Sequence, residues 1–163
     1  MPSSTTIGII WIPPELQQHE NAIVREIYFV CYPPHDVDDP PTKYTNHWTF
    51  FLKIITLKQY SVTARGLFYV TLNPVPDLTV KGVLNLIRTD GLDKYIFDAD
   101  GNGCRYWTMQ FVTHLDQAGK VANSMEAECL AERLGKTWTA GVDGQAVELE
   151  LPRGTPASPG RFY

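Results

Sequence analysis

The fold turns on one stretch of the chain, Asp98-Ala-Asp-Gly-Asn-Gly-Cys104-Arg-Tyr-Trp-Thr-Met-Gln-Phe-Val-Thr-His114-Leu-Asp-Gln-Ala-Gly119. Five of its first six residues are Asp, Asn or Gly, which is typical of a tight turn. From Cys104 onward, apolar residues recur every three or four positions and predict an amphipathic helix buried along one side. Cys104 is therefore expected at or near a helix N-terminus. Free backbone N–H groups and the helix dipole favour a thiolate there, which would lower the pKa of this thiol.

Strand and helix patterns flank this stretch on both sides. Runs of β-branched and aromatic residues predict strands over residues 5–12, 22–32, 47–56, 60–71, 94–97 and 146–151. Capping residues before periodic apolar runs predict helices over 80–89, from Cys104 to about Ala118, and from 124 to 136. The last is expected to bury Met125, Cys129, Leu130 and Leu134. The sequence thus predicts an α+β domain in which a mainly antiparallel sheet packs against two or three helices.

The length and the composition indicate one globular domain over residues 1–151. Residues 152–163 are rich in Pro, Gly and Ser and predict a flexible tail unless Phe162 and Tyr163 dock on the domain. The formal net charge of −4 is spread without a basic block, which argues against a nucleic-acid partner.

Cysteine usage and hydropathy indicate the compartment. Cys31, Cys104 and Cys129 are widely spaced and odd in number, so neither a disulfide framework nor a zinc site is expected. No apolar run approaches the length of a membrane helix, and the N-terminus lacks a signal-peptide pattern. We therefore expect a soluble protein of the cytoplasm.

The turn before Cys104 resembles the opening of a calcium-binding EF-hand loop. Asp98, Asp100, Asn102 and Gly103 occupy its first, third, fifth and sixth positions. The twelfth position, where the loop needs a glutamate, is Met109, and the preceding run predicts a strand rather than a helix. The pattern therefore favours a simple strand-to-helix turn, and no metal is expected.

Cys104 and His47 form the candidate catalytic pair. His47 begins a predicted strand and Cys104 begins a predicted helix, so the two side chains can meet at one end of a sheet-helix layer. The imidazole would then take the thiol proton, and Arg105 would hold an anionic substrate group. The plainer interpretation remains open, in which Cys104 is a packed apolar residue, His47 is structural and Arg105 makes a surface ion pair.

The His-Trp strand start and the Asn-x-Cys helix start resemble a known group of enzymes. His47-Trp-Thr-Phe-Phe-Leu52 and Asn102-Gly-Cys104-Arg-Tyr-Trp-Thr-Met-Gln-Phe-Val112 are similar to the corresponding segments of permuted papain-like thiol enzymes, such as the lecithin-retinol acyltransferase-like group. The resemblance spans about Asn46 to Gly119. It implies a papain-like α+β fold and thiol-dependent acyl transfer.

A second resemblance extends over most of the chain. His47-Trp48 and Gly103-Cys104-Arg105-Tyr106-Trp107 resemble the motifs of a small fungal family of uncharacterised function, some of whose members are associated with natural-product gene clusters. This resemblance implies biosynthetic chemistry on a small, apolar, natural-product-like substrate.

These observations lead to three functional hypotheses. The first is an enzyme that uses Cys104 and His47 for acyl transfer, hydrolysis or cyclisation, without a cofactor. Its substrate-binding residues would be Arg105, Tyr106, Trp48 and Asn102. The second is a cyclase or isomerase that shapes a polyketide- or terpenoid-like substrate without covalent chemistry. The third is a non-catalytic module that binds a small molecule.

Overall fold

The computed structural model describes residues 18–33, 46–54, 66–96, 103–149 and 161–162. The predicted strand over residues 5–12 lies outside these ranges. The glycine-rich turn up to residue 102 also lies outside these ranges, and with it Asp98, Asp100 and Asn102.

The described residues form an α+β fold, as predicted from the sequence. The elements in chain order are β1 (Val24–Tyr32), β2 (His47–Ile54), β3 (Phe68–Leu72), α1 (Val80–Thr89), β4 (Tyr95–Ile96), α2 (Cys104–Gln117), α3 (Ser124–Leu134), β5 (Trp138–Ala140), β6 (Ala146–Glu148) and β7 (Arg161–Phe162). The longest helix, α2, has 14 residues, and within the described ranges no helix is long and apolar enough to cross a bilayer.

The largest sheet is antiparallel and has the strand order β2-β1-β3. Side chains alternate between the two faces of a strand. On the central strand, Ile27, Phe29 and Cys31 therefore share one face, and all three are fully buried. The ring of Phe111 on α2 packs 6.2 Å from the ring of Phe29 and 4.7 Å from that of Phe50 on β2. This face of the sheet and the buried side of α2 thus form the core.

Helix α1 begins and ends where the sequence predicts. The hydroxyl of Thr79 accepts the backbone N–H of Gly82 at 3.1 Å and caps the helix. Its buried side is the predicted stripe of Val80, Val83, Leu84 and Ile87. A good cap and a clean apolar stripe agree here, so the local pattern alone fixes the element.

Helix α3 has the predicted start, but it presents a different face to the core. The side chain of Asn123 accepts the N–H of Met125, whereas Glu126 binds the backbone and side chain of Asn73 instead of returning to the cap. Met125 is 68% exposed and Cys129 is also exposed, so the prediction that both are buried is wrong. The buried stripe is Ala127, Leu130 and Leu134, so the prediction is confirmed for the two leucines.

The end of the chain is paired with the domain. Strand β7 lies antiparallel to β4, with Phe162 opposite Tyr95, and the two rings are 4.9 Å apart. The predicted tail therefore contains a short strand that pairs with the domain. Phe162 makes the contact that such docking was expected to require.

Candidate functional site

The start of α2 is built around Gly103. This residue has a φ of 134° and precedes the first helical residue, Cys104, without a side-chain cap. The hydroxyl of Tyr95 donates to the carbonyl oxygen of Gly103 at 2.9 Å, and a Cβ at this glycine would fall on that hydroxyl. Backbone conformation and space both require glycine here. The predicted placement of Cys104 at the helix N-terminus is confirmed.

The sulfur of Cys104 lies against the backbone at the start of β2. Its thiol donates to the carbonyl oxygen of Asn46 at 3.6 Å. The backbone N–H groups of Trp48, Arg105 and Cys104 itself act to lower the pKa of this thiol. The residue is partly exposed, whereas Cys31 is buried and Cys129 is exposed. The Cys104 side chain thus lies between the start of α2 and the backbone just before β2.

Burial dominates the acidity of this thiol. It raises the pKa of Cys104 above its ordinary value, and this effect outweighs the lowering by the N–H groups of Trp48 and Arg105 and by the charge of Arg105. The expected lowering of this pKa is therefore wrong, because the helix terminus and its donors act on a group that has lost most of its hydration. At neutral pH the resting sulfur is a thiol.

The backbone around His47 lies close to the Cys104 sulfur, but its imidazole does not lie on the face of β2 that the predicted pair requires. Asn46 and Trp48, which contact the sulfur, are the neighbours of His47 in the chain. Because side chains alternate along β2, the ring of His47 lies on the opposite face from buried Trp48. The imidazole is exposed, and its centroid is 6.0 Å from that of the Tyr32 ring.

Arg105 is a buried residue and not the surface residue that an ordinary ion pair would need. It is 4% exposed, and its Nη1 donates to the carbonyl oxygen of Lys136 at 3.1 Å and to the hydroxyl of Thr137 at 3.0 Å. Its Nε is buried and has no hydrogen-bond partner. Burial lowers the pKa of Arg105, and the thiols of Cys104 and Cys31 are the charge partners that oppose this effect.

Asn46 holds the site together and was missed in the sequence. Its side chain is completely buried. The amide nitrogen donates to the carbonyl oxygens of Tyr32 at 2.9 Å and Trp138 at 2.7 Å, and the amide oxygen accepts the N–H of Trp138 at 2.7 Å. The side chain of Asn46 therefore links the end of β1 to the start of β5, and its own carbonyl oxygen contacts the Cys104 sulfur. Its position directly before His47 was the one available signal.

The remaining predicted binding residues are dispersed. Trp48 is buried, with its ring 5.6 Å from that of Phe68, and its indole N–H has no hydrogen-bond partner. Tyr106 is half-buried and stacks on Tyr95 with 6.5 Å between centroids. Asn102 lies outside the described residues.

A groove of about 410 Å³ lies away from Cys104, between β3 and α3. Its walls include the half-exposed ring of Tyr69, the exposed side chain of Met125, and Cys129 and Arg133. The groove offers a small molecule both apolar and charged contacts. Across the same residues no group of three or more His, Cys, Asp and Glu side chains is arranged to hold a metal ion.

The fold and the site together define a small α+β protein in which the longest helix of the described residues begins with a partly exposed cysteine. The chain belongs to the family described as Domain of unknown function (DUF7770), whose model matches residues 53–163. The match includes Cys104 and Arg105 and begins after His47 and Trp48. The expected membership of a family of unknown function is confirmed. Comparisons with curated proteins and with solved structures gave no match.

Proposed function

We propose that this protein is a thiol enzyme in which Cys104 is the nucleophile. The observation that carries the proposal is a partly exposed cysteine as the first residue of the 14-residue helix α2, with its sulfur against the backbone just before β2. Backbone donors held rigidly by a helix start and a strand are oriented before any substrate arrives. They would stabilise negative charge on the sulfur at no cost of reorganisation.

The reaction class we propose is transfer of an acyl group. The thiol loses its proton, and the sulfur forms a bond to the carbonyl carbon while the carbonyl π electrons move to oxygen. The tetrahedral intermediate then expels the leaving group, which takes up a proton, and a thioester remains on Cys104. Water or a hydroxyl or amine of the substrate attacks the thioester and releases the thiol.

The raised pKa of Cys104 makes a general base necessary. A thiol that is neutral at rest attacks only if its proton is removed during the reaction, so the rate depends on a nearby proton acceptor. We assign this role to His47. Because its ring lies on the outer face of β2, the transfer would run through a water molecule at the start of the strand.

The two resemblances guide the choice of substrate. The likeness to papain-like acyltransferases favours acyl transfer or hydrolysis, and the likeness to a fungal family linked with natural-product gene clusters favours a biosynthetic, apolar acyl donor. The proposal therefore includes both the acyl-transfer or hydrolysis reaction and the biosynthetic, apolar acyl donor.

A second candidate is a module that binds a small molecule without covalent chemistry. It is favoured by the neutral resting thiol, whose hydrogen bond to Asn46 pins α2 to β2, and by the groove between β3 and α3. In this interpretation Cys104 is a structural contact. A non-covalent cyclase would share this behaviour of the thiol.

Acetylation by p-nitrophenyl acetate separates these candidates. We expect release of p-nitrophenol and an acetyl group on the peptide that contains Cys104, as measured by mass spectrometry. Cys104→Ala should abolish both, and Cys129→Ala, which removes the exposed thiol of α3, should leave both intact. His47→Gln should slow acetylation by about 10²-fold if the imidazole is the base.

The opposite result is equally informative. Acetylation confined to Cys129 would remove Cys104 as a nucleophile. A folded Cys104→Ala variant that keeps its ligand binding or turnover would then favour the non-covalent candidates.

A further inference from the structure

Strand β3 lies at an edge of the largest sheet, because among the described residues β1 is its one strand neighbour. In an antiparallel pair, every second residue directs its backbone N–H and C=O away from the partner strand, so an edge strand presents these groups to another chain. Tyr69, Val70 and Thr71, three consecutive residues of β3, line one side of the groove. Neighbouring side chains of a strand point to opposite faces, so a groove lined by all three runs along the strand edge.

The other side of the groove is a row of side chains on α3 that the domain leaves uncovered. Met125, Cys129 and Arg133 recur every four residues and are all exposed. Residues four apart lie on one face of a helix, so these three form a single row opposite the edge of β3. The helix packs on the core through its other stripe. An adaptable methionine that is 68% exposed beside a sheet edge is typical of a binding surface.

The groove is positively charged at one end. The guanidinium carbon of Arg133 lies 5.6 Å from the centre of the Phe68 ring, at the start of β3, and the side chain forms no ion pair with any described residue. At the other end, the carboxylate of Glu126 accepts hydrogen bonds from the backbone and the side chain of Asn73. A ligand with a carboxylate beside Arg133 would therefore complement the groove.

We infer that this groove binds an extended peptide of a partner protein, which adds a strand to the edge of β3. In this mode of recognition the backbone hydrogen bonds give affinity, and pockets for alternate side chains give specificity. The peptide places apolar side chains against Met125 and an acidic residue or its terminal carboxylate beside Arg133. A small apolar molecule would leave the backbone groups of β3 unused. The interaction is independent of the chemistry proposed at Cys104.

A phage library of random octapeptides, selected on the immobilised full chain, tests the inference. We expect enriched sequences that alternate β-branched or aromatic residues with polar ones and carry an acidic residue at one end. Fluorescence anisotropy then measures the affinity of one enriched peptide in synthetic form. Met125→Ala and Arg133→Glu should each weaken its binding by about tenfold or more.

Two exposed positions outside the groove provide matched controls. Glu128→Ala changes a side chain on the same helix, and Arg88→Glu reverses a charge on α1. Each should change the affinity by less than about twofold, because surface charges away from the ligand are screened.

Backbone hydrogen bonds distinguish strand addition from purely apolar binding. Two variants of the synthetic peptide carry an N-methyl group on one or the other of two adjacent central residues. Because every second amide of the peptide would face β3, one variant should lose about tenfold in affinity and the other should keep most of it. Equal affinities of the two variants would overturn strand addition and leave apolar contacts as the basis of binding.

Three further results would contradict the inference. The first is a library without enrichment over an unrelated control protein. The second is peptide binding that survives both Met125→Ala and Arg133→Glu, which would place the peptide elsewhere. The third is a dimer in sedimentation equilibrium that Met125→Glu dissociates, since a second copy of the chain would then occupy the groove. Circular dichroism checks the fold of each variant. Should one not fold, the N-methylated peptides still decide.

Discussion

The start of α2 and the exposed face of α3 each carry one cysteine and surround it in opposite ways. Cys104 is partly exposed at the start of α2, its sulfur lies 3.6 Å from the carbonyl oxygen of Asn46, and burial raises the pKa of its thiol. Cys129 lies on the wall of an open groove. The comparison teaches that a helix N-terminus and access to solvent are separate properties, because the cysteine that is easier to reach lies in the middle of a helix.

Of the changes that test this comparison, the removal of Asn46 is expected to have the largest effect on stability. Asn46→Ala deletes three hydrogen bonds between a fully buried side chain and the backbone of Tyr32 and Trp138, so we expect a loss of about 3–5 kcal/mol in the free energy of unfolding. Asn123→Ala, which removes the exposed cap of α3, should cost about 1 kcal/mol. Urea unfolding of both variants measures the difference. Equal losses would show that Asn46 is not the link that holds the site.

A smaller effect is expected from the glycine that caps α2. Gly103→Ala forces a side chain into a φ of 134° and onto the hydroxyl of Tyr95, which should cost roughly 3 kcal/mol. Gly119→Ala is the matched control at the other end of the helix. It has a φ of 61° with nothing within 4 Å, and should cost about 1 kcal/mol.

Thermal unfolding and alkylation rates measure both consequences of this change. Gly103→Ala should also alter the alkylation rate of Cys104 and leave that of Cys129 unchanged. If the two glycine variants behave alike in both measurements, the close approach of Tyr95 does not shape the thiol site.

The third and smallest effect is a pH dependence from Cys31, the buried thiol on the sheet side of the site. Burial raises the pKa of Cys31 from 9.0 to about 12, so the folded chain holds this proton more tightly than the unfolded chain. Its contribution to stability is complete below pH 9 and is lost as the pH rises toward 12, at about 1.4 kcal/mol per pH unit.

Urea unfolding at about pH 8 and about pH 10.5 measures this slope. Cys31→Ala should have a shallower alkaline loss than the wild type, whereas Cys129→Ala should retain the wild-type slope. A Cys31→Ala variant with an unchanged slope would mean that other groups cause the alkaline loss.

Local signals predicted much of the fold. The cap at Thr79 and its apolar stripe gave α1 from Val80 to Thr89, and the start of α2 at Cys104 followed from the turn before it. Strand β5 was not predicted, because three residues are too few to show an alternating pattern. The buried face of α3 was predicted only in part, because Leu130 and Leu134 are buried whereas Met125 and Cys129 are exposed. Its sequence offers two apolar stripes, and packing between helices, which the sequence does not show, selects one.

The site was harder to predict than the fold. The sequence correctly predicted that His47 begins a strand and that Cys104 begins a helix. The face of β2 that holds the imidazole was not predicted, because it depends on strand register, which tertiary pairing sets. The pKa of Cys104 was predicted in the wrong direction, since a helix N-terminus is visible in the sequence and the degree of burial is not. The burial of Arg105 and the hydrogen bonds of Asn46 likewise depend on residues far along the chain.

The pairing of β7 with β4 links two distant parts of the sequence through one aromatic ring. Phe162 packs against one side of Tyr95, and the hydroxyl of Tyr95 holds the carbonyl of the glycine before Cys104. Any change that displaces Phe162, such as a protease cut, a fusion tag or a binding partner, would therefore alter the surroundings of the Cys104 sulfur, which belongs to a different segment. Enzymologists who append a purification handle near this strand should compare it with a handle placed elsewhere before they interpret any thiol assay.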